Sequence, residues 1–119
     1  MVGFERSNMS DVVLSELNRR VRTAGEVLAQ VPSRDGARRA IHELGVVDRL
    51  LTSMLTTDAL PAGMIVCLRS VSHELSRHVA EPRYLDDDAA VVRTFARLQR
   101  ALLSADIAIR PINSVAARD

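Results

Sequence analysis

The sequence predicts an all-α fold: a single-domain four-helix bundle, connected up-down-up-down, with a short flexible C-terminal tail. Three observations predict it. Apolar residues recur at helical spacing in four separate stretches. Between those stretches stand prolines and small polar residues that stop one helix and cap the next. The apolar inventory is also aliphatic: aromatics are 3% of the 119 residues and Trp is absent. Such a core suits helix-on-helix packing, where Leu, Val, Ile, Ala and Met ridges fill grooves. A chain of this length fits one domain, expected over 1–119 with an ordered core of about 10–110. Short connections make successive helices antiparallel neighbours.

The first helix is expected from about Asp11 to Gln30, with Ser10 as N-cap and Pro32 as its stop. Val13, Leu14, Leu17, Val21, Ala24, Leu28 and Val31 fall on one face, and Glu16 stands one turn before Arg20, the favourable order for a helical ion pair. Ser33 caps the second helix, Asp35 sits in its first turn near the positive end of the macrodipole, and Thr57 is near its end. Pro61 suits the first position of a third helix that runs to about Ala80 before Pro82. The inner face of this helix is Met64, Leu68, Val71, Leu75 and Val79. Asp86, Asp87 and Asp88 open the fourth, whose seam is Val91, Phe95, Leu98, Leu102, Ala105 and Ile109. Pro111 is expected to close that helix, leaving Ile112 to Asp119 as a frayed tail. Helices two and three are expected to hold most of the buried residues.

Charge and cysteine usage narrow the class. Hydrophobic residues are 47% and charged ones 26%, with a net charge of +1, so no global field points to nucleic acid or to an anionic membrane. All 16 basic residues are Arg. Cys67 is the single cysteine, which excludes a disulfide framework and a cysteine zinc cluster; it is expected as a small buried hydrophobe at the edge of the third helix's inner face. Met1 to Ser10 is polar and unlike a signal peptide. Ala59 to Leu68, interrupted by Pro61 and Gly63, falls short of the ~20 residues of a membrane span. A soluble cytoplasmic protein without membrane contact follows.

Catalytic motifs are missing: there is no Gly-rich phosphate loop, no paired metal-binding cysteines and no nucleophile elbow. No cofactor and no enzymatic activity are expected. Val71-Ser72-His73-Glu74-Leu75 resembles the H-box of sensor histidine kinases, in which a helix-borne histidine accepts phosphate. The resemblance implies His73 as a phospho-acceptor, placed opposite the Met64-Leu68-Val71-Leu75 face and therefore exposed. It covers five residues, and the chain continues Ser76-Arg77-His78-Val79 where that family has Arg-Thr-Pro-Leu. Glu74 and His78, at i and i+4, make a helical contact; two ligands from one helix do not make a metal site.

Two surfaces carry interaction chemistry. Arg93, Arg97 and Arg100 share a narrow sector of the fourth helix away from its seam, with no acidic residue one turn from any of them. They are the candidate nucleic-acid contacts, although aromatic stacking residues are lacking. Leu44-Gly45-Val46 resembles the turn of a helix-turn-helix, but Ile41 sits where that motif wants a small residue and no polar recognition helix follows. On the second helix, Ala37, Ala40, Ile41, Leu44, Val47, Leu51, Met54 and Leu55 already form a generous arc, and Val46 and Leu50 widen it beyond the ~100° stripe of a surface helix. Either this helix is the most buried of the four or part of the arc meets another chain.

The leading expectation is a non-enzymatic adaptor or regulator acting through protein–protein contact, and a homodimer. Val46, Leu50 and Met54 would form its interaction face, with Arg39 and Glu43 as a polar rim. A nucleic-acid-associated regulator using Arg93, Arg97 and Arg100 is the alternative, and phosphotransfer through His73 a third.

Overall fold

The computed structural model describes residues 2–57, 62–80 and 87–118, and the side chains of 12–56, 62–78 and 87–113 within them. Four helices follow one another: α1 Val2–Leu28, α2 Arg34–Thr57, α3 Ala62–Ala80 and α4 Asp88–Arg118. No strand occurs among the described residues. The fold is the all-α four-helix bundle that the periodicity predicts.

Local chemistry sets several of the ends. Ser33 accepts the Gly36 N–H on its Oγ at 2.9 Å, and its carbonyl accepts the Ala37 N–H at 2.9 Å. It is the N-cap of α2, where helix donors would otherwise go unpaired. Asp87 does the same for α4, its Oδ1 accepting the Ala90 N–H at 2.7 Å. At the end of α1, a side chain from α4 supplies the missing donor: Gln99 Nε2 reaches the Leu28 carbonyl at 2.9 Å.

Neighbouring helices run antiparallel. Arg20 on α1 meets Glu43 on α2, and Asp48 on α2 accepts the hydroxyls of Ser72 and Ser76 on α3. Asn18 on α1 pairs with Asn113 on α4. Across the diagonal, α2 also touches α4, whereas α1 and α3 do not meet among the described residues. The bundle is therefore a rhombus with α2 and α4 on its short diagonal. Gly36 lies there, and a Cβ at that position would stand 3.0 Å from the Phe95 ring.

That geometry corrects one expectation. Among the described residues, α2 and α4 hold most of the buried side chains, with Ala37, Ala40, Leu44, Val47, Leu51 and Met54 facing Val91, Phe95, Leu98, Ala101, Ala105 and Ile109. Among the described side chains α3 contributes only Leu68, Val71 and Leu75, because a helix off the short diagonal covers a narrower arc; Val79, expected on the same face, lies outside them. One contiguous core results.

Three boundaries also differ. α1 begins at Val2, so Ser10 is interior rather than a cap. Val31, expected on the inner face of the first helix, follows its end and is 85% exposed. α4 does not stop at Pro111 but continues to Arg118, so the expected tail at 112–118 is helical. A proline inside a helix removes one backbone bond and crowds the preceding turn. Two tertiary contacts beyond it offset that cost. Ile112 is buried, and Asn113 exchanges amide hydrogen bonds with Asn18 at 2.9 and 3.1 Å.

Candidate interaction surface

The side chains expected on the outside of α2 lie mostly within the fold. Met54 is 2% exposed and belongs to the core. Leu50 is half-buried against that core, and Val46 is half-buried. Glu43 is 7% exposed, and both its oxygens accept from Arg20 Nη1, at 3.0 and 3.2 Å. Of the five, Arg39 alone is exposed. The apolar arc of α2 is broad because this helix touches all three others, as a helix on the short diagonal must. Helix α2 also runs unbroken through Leu44-Gly45-Val46, so there is no turn of a helix-turn-helix.

Glu43 belongs to a polar network between α1 and α2. Arg20 also donates to Glu16 at 2.8 Å, as the one-turn spacing predicts, and Arg19 donates to the same carboxylate at 2.6 and 3.0 Å. Hydrogen bonds from Arg19 and Arg20 hold the Glu16 carboxyl well below its ordinary range, at about 2. In return, Arg20 is raised by its bonds to Glu43 and then to Glu16. A second polar seam joins α2 to α3. Asp48 accepts from Ser72 and, at 2.7 Å, from Ser76, while Thr52 also lies against Ser72. Both networks are satisfied internally, and among the described residues no buried polar side-chain atom lacks a partner. Their work is to fix the register of packed helices.

On α3, His73 is exposed, as the H-box resemblance implies, and Arg69 and Arg77 flank it one turn away on either side, also exposed. His78 Nε2 stands 4.0 Å from Glu74 Oε1, and no metal-holding group of three ligands occurs among the described residues. Cys67 is exposed rather than buried. It lies about 100° round the helix from Leu68, outside the narrow arc that α3 turns toward the core.

The outer face of α4 carries the remaining surface chemistry. Arg93, Arg97 and Arg100 are all exposed, and no ion pair engages them among the described residues. Beside them runs an apolar row missing from the sequence-based expectations. Val92 is 54%, Leu103 58% and Ile107 54% exposed, and Ala96 between them is also exposed. At about 100° per residue, Val92, Ala96, Leu103 and Ile107 fall within a sector of roughly 60°, and the three arginines occupy the adjoining one. The apolar row is roughly 20 Å long, and the arginines run beside its first half for roughly 10 Å. A residue-by-residue wheel of α4 contains this signal: these four positions lie off the Val91-Phe95-Leu98 seam.

No helix among the described residues is long and apolar enough to cross a membrane. No family model matches the chain, and neither does a curated protein or a solved structure.

Proposed function

We propose that this chain is a non-enzymatic, cytoplasmic adaptor or regulator that acts by protein–protein contact through the outer face of α4. The observation that carries this reading is the apolar row Val92, Ala96, Leu103 and Ile107 standing in water beside three unpaired arginines. Leaving a large aliphatic side chain wet forgoes about 1.5–3 kcal/mol relative to full burial. Such residues arrayed along one side of a helix are the pattern of a contact surface. α2 offers no comparable surface, since Met54 and Glu43 are already engaged by their own chain.

A photo-crosslinking residue placed at Leu103 tests it in the cell. Protein adducts should form from position 103 and not from Val12 on α1, which is the more exposed of the two. Equal yields from both positions, or none from 103, would overturn the reading.

Nucleic acid is a second reading, favoured by one observation: Arg93, Arg97 and Arg100 are exposed and engaged in no ion pair among the described residues. Binding would then weaken steeply with salt, and Arg97→Ala with Arg100→Ala would flatten that dependence. Absence of retention on duplex or single strands at low salt removes this reading.

A further inference from the structure

We infer that the partner of α4 is an acidic amphipathic helix, with a row of carboxylates beside a row of aliphatic side chains; this rests on the reading of α4 as a protein contact. Charge complementarity selects it. Arg93, Arg97 and Arg100 have no carboxylate one helical turn away and no ion pair across to another helix among the described residues. The acids on α4 stand elsewhere: Asp87 and Asp88 at its start, and Asp106 bound to Arg110 at 3.1 Å. Three guanidiniums in one sector set a local positive field that an acidic surface would complete.

The side-by-side order of the two rows decides among anionic partners. A nucleic acid would engage the arginines and leave Leu103 and Ile107 wet. A membrane-lying helix presents a central apolar ridge, usually with Trp, Phe or Leu, between basic flanks. Here Arg93, Arg97 and Arg100 adjoin the apolar row on one side, Arg110 at its end is paired with Asp106, no aromatic side chain lies in the row, and Gln99 on the other side is bound to the Leu28 carbonyl. A second copy of α4 packed antiparallel about the centre of the Val92–Ile107 row would bring Arg97 and Arg100 against the same arginines of that copy, a like-charge contact. A helix carrying apolar and acidic rows covers both rows of α4 at once, by the groove-and-ridge packing of the bundle itself.

The test uses the full chain and three synthetic peptides of about 20 residues, long enough to span the exposed rows. One has adjoining Leu and Glu rows, the second replaces Glu with Lys, and the third scrambles the first. Fluorescence anisotropy should show the Glu peptide bound at least about tenfold tighter than either other. The variant Arg93→Glu/Arg97→Glu/Arg100→Glu should reverse the preference toward the Lys peptide. Leu103→Ser/Ile107→Ser, exposed positions whose change leaves the helical signal intact, should weaken the Glu peptide by a similar factor. Equal binding of Glu and Lys peptides, still lost in Leu103→Ser/Ile107→Ser, overturns the acidic partner while α4 stays a contact surface. Uptake of phosphatidylserine vesicles or of duplex DNA without uptake of the Glu peptide overturns the inference in favour of that ligand. A chain that binds no peptide overturns both the inference and the reading it rests on.

Discussion

Replacing Pro111 with alanine should make this protein more stable. Pro111 is exposed inside α4, so its ring has no core contact to lose. Its nitrogen carries no hydrogen, which leaves the Ile107 carbonyl without its helical donor. Alanine at an interior helical position is favoured over proline by about 3 kcal/mol. Proline also restricts the unfolded chain, and losing that restriction costs about 0.4–1 kcal/mol. The difference is a gain of about 2 kcal/mol, or roughly 8 °C in Tm for a domain of this size. The companion change runs the other way: Ile112 is only 7% exposed, so Ile112→Ala should cost about 2 kcal/mol or more. Thermal and urea unfolding followed by far-ultraviolet circular dichroism would measure both. Amide exchange at 112–115 should slow in the Pro111→Ala protein as the helical ladder is completed. An unchanged or lower Tm for Pro111→Ala, with Ile112→Ala neutral, would refute the reasoning, because it would mean that the helix ends at the proline.

Three further outcomes are expected. Arg20→Met should cost more stability than Glu43→Met, because the first strands a buried carboxylate while the second leaves Arg20 still bound to Glu16; equal losses by urea unfolding would contradict the burial of Glu43. Glu16 has a carboxyl lowered from its ordinary 4.5 to about 2, so its contribution to stability is present above pH 4.5 and is lost as pH falls toward 2. Glu16→Gln should flatten that limb of a stability-versus-pH profile, and an unchanged slope would speak against the ion-pair network. Leu50→Glu should lower the unfolding free energy by about 2 kcal/mol, since Leu50 packs on its own core; unchanged stability with a smaller mass in light scattering would instead restore α2 as an interface.

Helix number, order and most end signals were legible in the sequence because they depend on short-range chemistry. Ser33 and Asp87 cap because a side-chain oxygen a few bonds away can take a backbone donor, and Leu17, Leu44, Leu68 and Leu98 face inward because spacing alone puts them on one side. The Glu16–Arg20 pair is equally local. What the sequence could not decide is which helices share the short diagonal. That choice buried Met54 and left α3 with a narrow covered arc that excludes Cys67. Pro111 shows the same division. Its local preference is to stop a helix, yet the pairing of Asn113 with Asn18 on α1, ninety-five residues apart along the chain, helps carry the helix past it. Local propensity is worth one to three kcal/mol at a given residue. Burial of Ile112 and pairing of Asn113 are of that size too, and only the tertiary structure determines which of the two prevails.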